Sequence, residues 1–217
     1  MSDSKYRIRL ILIVSIALLP LSGCVSFAAN LLRAVYGNER PAEFDGLQEK
    51  KVAIVCSTDH GFASNATSAM LMRHIQANLN NNVKEIQLIR PDEVEQWLET
   101  HAAAGGDVLE AGKGVGADLV LAVDVVNMSL NDGPTLFRGK ADISVSVYDV
   151  ADGDKLLFER QFPDFAFPNS GGAPVTDTSE AKFRGMFLSV VAQKISGLFY
   201  PVDPTTDYAL DATSNSF

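Results

Sequence analysis

Few residue groups in this chain have the types and spacing for chemistry, and two of these groups hold its two cysteines. One is Cys56-Ser57-Thr58-Asp59-His60-Gly61, directly after the apolar run Val52-Ala53-Ile54-Val55. A thiol near an imidazole is the pattern of an activated nucleophile, in which the base promotes the thiolate. Ligands in α/β folds also gather at strand carboxyl ends. Cys56 and His60 are therefore candidates for a ligand contact or a thiol enzyme. The plainer reading is a small buried hydrophobe followed by a polar loop, since free cysteine packs well in cores. Gly112-Lys113-Gly114-Val115-Gly116 has the composition of a phosphate loop but not its order. A phosphate loop follows a strand and opens a helix, whereas these glycines precede a strand and read as a helix-ending turn. Asp118 and Asp124 are six residues apart on one strand, about 20 Å, too far for joint acid–base work. Asp124 is expected to be satisfied by a neighbour such as Arg138 or Lys140. His60, His74 and His101 show no metal-binding spacing, so no metal or cofactor is expected.

The other cysteine group lies near the start. Lys5, Arg7 and Arg9 precede an apolar run from Leu10 to Leu19, then Pro20-Leu21-Ser22-Gly23-Cys24. A charged segment, a short apolar segment and small residues before a cleavage point make an export signal. The run is too short to span a membrane comfortably, since roughly 20 residues are needed. Leu21-Ser22-Gly23-Cys24 resembles the lipobox of bacterial lipoproteins. The resemblance implies cleavage between Gly23 and Cys24, a diacylglycerol and commonly palmitate on Cys24, and a periplasm-facing chain. An ordinary secretory signal with a chance cysteine, or a short membrane anchor, is the alternative. Val25 follows Cys24 where an Asp would favour retention at the inner membrane, so the outer membrane is the expected location.

The chain of 217 residues carries 18 basic and 27 acidic residues, a net charge of −9. Cleavage before Cys24 removes Asp3, Lys5, Arg7 and Arg9 and leaves a charge of −11 on about 194 residues. An acidic body argues against nucleic acid, which demands concentrated Lys and Arg. It argues equally against electrostatic docking on anionic lipid. If Cys24 carries lipid, Cys56 has no intrachain partner, and a disulfide framework is excluded.

The elements that must position these groups follow from periodicity. Residues 24–50 read as the lipidated Cys and a tether. Phe27, Leu31, Leu32, Val35 and Tyr36 form a short amphipathic stripe, which fits a helix at the membrane or one packed on its own domain. A domain over 51–200 opens with the strand Lys51-Val55. A helix follows with Ala69, Met72, Ile75, Ala77 and Leu79 inward, capped by Ser64 or Asn65 and ended by Asn80-Asn81-Asn82. Ile86, Leu88 and Ile89 form a strand. Pro91-Asp92-Glu93 starts a helix that buries Val94, Trp97 and Leu98. Val108 to Val115 is a further short helix. Leu119 to Val126 is apolar on both faces, as in a central strand. Ala141 to Val150 alternates cleanly, Asp152-Gly153 is a hairpin turn, and Leu156 to Phe162 returns. Pro163 to Thr178 reads as an irregular excursion. Phe158, Phe162, Phe165 and Phe167 either cover the sheet edge or form a patch for a partner. Ser179 to Phe199 is a final amphipathic helix, and 201–217 a disordered tail. The predicted fold class is α/β (α+β), a single mixed sheet in the order β-α-β-α-(α)-β-β-β-α with helices covering it.

Three stretches together resemble a bacterial envelope module: Lys51-Val-Ala-Ile-Val55, Gly116-Ala117-Asp118-Leu119-Val-Leu-Ala-Val-Asp124, and Val145-Ser-Val-Tyr148-Asp149-Val-Ala-Asp152-Gly153-Asp154-Lys155. The module is that of the N-terminal domain of TolB, LpoB-type lipoproteins and CsgG-like lipoproteins, and the chain is also similar to planctomycete lipoproteins of this build. The resemblance covers about residues 50–199 and implies a non-enzymatic domain that binds another envelope protein or assembles. Where many relatives have Pro after the first strand, this chain has Cys56. A CsgG-like pore does not fit the residues. A lipid-facing strand row must be apolar, and Asp142, Ser144, Ser146 and Tyr148 share one face. The expectation is thus a membrane-anchored, non-enzymatic envelope lipoprotein with a protein partner. The alternative is a thiol enzyme or small-ligand binder built on Cys56 and His60.

Overall fold

The computed structural model describes residues 39–58, 61–62, 66–101 and 107–203. The signal segment, Cys24, the stripe at 27–36, His60, the cap at Ser64 or Asn65 and the tail from 204 lie outside the described residues. By compactness the chain divides between Glu39 and Arg40, and the unit from Arg40 on is the one described.

Strand β1 (Lys51–Thr58) and the two-residue β2 (Gly61–Phe62) open the chain order. Helix α1 (Ala66–Asn82), β3 (Gln87–Leu88), α2 (Pro91–His101) and α3 (Val108–Gly114) follow. Then come β4 (Leu119–Asp132), β5 (Leu136–Asp149), β6 (Lys155–Phe167), the short β7 (Ala173–Pro174) and α4 (Glu180–Ser196). The sheet runs β2-β1-β4-β5-β6, with β3 also on β1 and β7 on β5. β1 and β4 are parallel, and β4-β5-β6 is an antiparallel meander. The predicted mixed α/β sheet is therefore the observed one.

Burial explains the elements. Val52 to Cys56 are buried without a break, as expected for a strand covered on both faces. Along β5 burial alternates residue by residue, with Phe137, Gly139, Ala141, Ile143, Val145 and Val147 inward. α4 lies against that inward row. Phe183 stacks on Phe137 at 5.3 Å, and Phe187 meets Phe165 at 6.2 Å. Each fully buried Phe stabilises the fold by about 1.5–3 kcal/mol. Gly139 makes this contact possible, because a Cβ there would stand 2.1 Å from the Phe187 ring. Ser179 caps α4, its hydroxyl accepting from the Lys182 N–H at 3.3 Å. In α1 the buried apolar residues are Leu71, Met72, Ile75 and Leu79, while Ala77 faces solvent. α3 crosses the opposite face of the sheet, where Gly112 closes on Val120.

Three expectations are corrected. The domain begins before Lys51: Arg40 and Val202 exchange backbone hydrogen bonds at 2.8 and 3.0 Å, and Leu47 is fully buried. Phe44, within the expected tether, packs against Phe158 and Phe199. β6 does not stop at Phe162 but continues through Pro163 to Phe167. Pro163 is tolerated because β6 is an edge strand and Pro163-Asp164 form a bulge opposite Asp142. Trp97 is only partly buried and stacks on His101 at 4.1 Å.

Asp142 ties two irregularities together. In β4 the register slips between Val126 and Ser129, and Asn127 adopts a left-handed φ of 55°. In β6 Asp164 has a φ of 52°. The Asn127 amide donates to one oxygen of Asp142 and the Asp164 N–H to the other, both at 2.8 Å. The Asn127 bond, then the Asp164 bond, hold the Asp142 carboxyl below the usual carboxylate range.

Replacing Gly139 by Ala should destabilise the fold by about 1–3 kcal/mol through overpacking against Phe187, read as a lower urea midpoint. For Asp142, the depressed folded-state pKa means its contribution is complete above the unfolded value of about 3.9. It is lost as pH falls through the folded value. Asp142→Asn should therefore flatten part of the acid limb of stability between about pH 5 and 2, measured as urea midpoint against pH; an unchanged limb refutes the assignment.

Candidate functional site

The two faces of the central sheet differ. Strand alternation puts Cys56 on one face and Ser57 on the other. Cys56 is fully buried, and that burial pushes its thiol pKa far above the ordinary range. A thiol with neither solvent access nor a stabilised thiolate is not an activated nucleophile. This corrects the reading of Cys56 as a ligand contact or catalytic group; His60, its proposed companion, lies outside the described residues.

Ser57 points into the sheet's open face. α3 covers only the part of that face near Val120, and beyond it lies a trough of about 290 Å³. Register builds its floor. Ser57 is paired with Asp124 across the parallel β1–β4 ladder, and Asp124 with Ser144 across the antiparallel one. Ser144 in turn opposes Gln161 on β6. The next row is Val55, Ala122, Ser146 and Glu159, and the row after it holds Tyr148. Val108 of α3 and Tyr148 also line the trough.

The Ser57 hydroxyl donates to Asp124 Oδ1 at 2.6 Å. This replaces the expected partners of Asp124. Arg138 and Lys140 both pair with Asp132 instead, at 3.5 and 3.3 Å, and Arg138 also donates to the carbonyls of Pro168 and Asn169. Asp118, the other member of the supposed acid pair, accepts from the Lys51 N–H at 2.9 Å and locks the start of β1 to β4. The glycine-rich stretch is structural. Gly114 lies against the Trp97 ring, Gly116 takes a φ of 68°, and Lys113 pairs with Asp154 at 2.6 Å. Phe158, Phe162 and Phe165 are half-buried against the core and Phe167 is buried, so this row covers the sheet edge.

The trough is not visible in the sequence, where Ser144 and Ser146 mark only the outer side of an alternating strand. Their small size was the available signal. Ser and Ala are poor choices for a central strand on packing grounds, yet three of them sit side by side here.

No protein-family model matches the chain, and no curated protein matches it. Solved structures to which the chain is similar include lipoprotein GNA1162 from Neisseria meningitidis, with a TM-score of 0.43 and 12% identity, over 68% of this chain and 98% of that one. The hypothetical protein CT253 from Chlamydia trachomatis gives 0.41 and 14%, over 67% and 90%. The C-terminal domain of LpoB from Salmonella enterica gives 0.34 and 13%, over 54% and 84%. Likenesses of this size bear on neither activity nor partner.

Alkylation tests the placement of Cys56. With the folded protein, iodoacetamide labelling of the Cys56 peptide should stay slow from pH 5 to 9 and accelerate only in denaturant. Rapid labelling with a midpoint below about 8.5 would restore the reactive thiol.

Proposed function

We propose that the chain is a lipid-anchored lipoprotein of the bacterial cell envelope whose domain binds another envelope component and performs no catalysis. The observation that carries this reading is the N-terminal run: three cations, an apolar segment, then Leu21-Ser22-Gly23-Cys24. Lipid on Cys24, with cleavage after Gly23, would hold the domain at a membrane surface, and several acyl chains anchor stably where one does not. Val25 favours the outer membrane, with the domain in the periplasm. The acidic charge leaves attachment to the lipid rather than to headgroup electrostatics. The sealed thiol of Cys56 favours binding over chemistry, and the trough beside Ser57 supplies a surface for it.

Expression of the full chain with radiolabelled palmitate tests the anchor. The label should appear on the wild type, and Cys24→Ala should lose it and accumulate the uncleaved, larger precursor. Equal labelling of both proteins rules out Cys24 as the lipid site. Affinity capture from intact envelopes tests the binding; recovery of no specific protein or cell-wall component counts against it.

A further inference from the structure

We propose that the trough on the open sheet face is a carbohydrate site, taking a neutral sugar ring of a glycan. This deepens the reading of the domain as an envelope-binding module and rests on it. The first ground is shape. Ala122, Ser144 and Ser146 lie on adjacent positions of the two central strands, where β-branched or aromatic side chains fill a sheet best. Their small size, between Val108 and Tyr148, is what leaves the concavity of about 290 Å³. The second ground is chemistry. Ser57, Asp124 and Ser144 form one cross-strand row, with neighbouring Cβ atoms about 5 Å apart. Ser57 engages Oδ1 of Asp124 and thereby orients the carboxylate across the floor. A carboxylate that accepts and serine hydroxyls that both donate and accept complement the hydroxyls of a sugar, each of which also donates and accepts. Among the described residues no Lys or Arg lines the trough, so a phosphate or a sulfated ligand would meet Asp124 uncompensated by them. The third ground is the half-buried ring of Tyr148, an apolar body with a polar tip suited to the C–H face of a pyranose.

Binding is tested on the full lipidated chain in zwitterionic nanodiscs, with selective isotope labels on Ser, Tyr and Cys. The probes are the β-1,4-linked tetramers of N-acetylglucosamine and of glucose, with inorganic phosphate as the anionic comparison. At least one tetramer should shift the Ser144, Ser146 and Tyr148 resonances and leave Cys56, on the other face, unmoved. Asp124→Asn should weaken the response about tenfold, the loss of a charge-assisted hydrogen bond. Ser146→Phe, which fills the floor, should abolish it. Urea midpoints confirm that each variant is folded, and Asp124→Asn serves alone if Ser146→Phe is not. Silence with both tetramers, a response to phosphate at the same residues, or tetramer binding unaffected by the folded variants overturns the proposal. Palmitate labelling and envelope capture read the broader function separately, so failure here leaves that reading standing.

Discussion

Three strands lose their register at one level of the sheet, and a single carboxylate holds them there. Asp142 lies on the middle strand of the meander, opposite a bulge in β4 and a bulge in β6. Each bulge leaves groups outside the ladder, and a buried or half-buried polar group without a partner is costly. Asp142 meets both demands at once, through the Asn127 amide and the Asp164 N–H. Paired bulges add twist and bend the strands that carry them. On the α4 side, Gly139 lies against the Phe187 ring, which also meets Phe165 of β6. On the other side, the rows that build the trough lie before the β4 bulge, where the β4–β5 register is regular.

The sheet divides its labour by parity. Residues of one parity on β5 are Phe137, Gly139, Ala141, Ile143, Val145 and Val147, and they hold α4. Residues of the other parity are Asp142, Ser144, Ser146 and Tyr148, and they are half-exposed. The same rule separates Cys56 from Ser57 on β1. Adjacent in sequence, they end in different chemical worlds: a core that suppresses ionisation of the thiol, and a wet trough in which the hydroxyl orients a carboxylate.

Much of this was legible in the residues. The uninterrupted apolar run of β1, the alternation of β5 and the helical stripe of α4 each declare their structure through spacing alone. What escaped depends on contacts distant in sequence. Pro163 signals a strand end locally, yet the strand continues because Asp142, on the neighbouring strand, receives the Asp164 N–H. Leu47 stands alone among charged residues, and nothing nearby marks it as core. Arg138 and Lys140 are expected near Asp124 as the closest cations in sequence, but the ladder places Lys140 opposite Ser129. The trough was harder still to foresee, since Ser57 reaches Asp124 only through the parallel crossover that sets β1 beside β4.

The bridge between Arg40 and Val202 has a mechanical meaning. Where the chain enters the folded unit it is paired antiparallel with the segment that follows α4. Tension arriving along the N-terminal segment therefore falls first on that bridge and on the Glu43 and Phe44 N–H groups bound to the Leu198 carbonyl. These pairings lie along the chain ahead of Lys51, so a pull from that side would meet them before it met β1. The short stretch from Arg40 to Leu47 thus stands between such a pull and the register of β1 against β4, on which the floor of the trough depends.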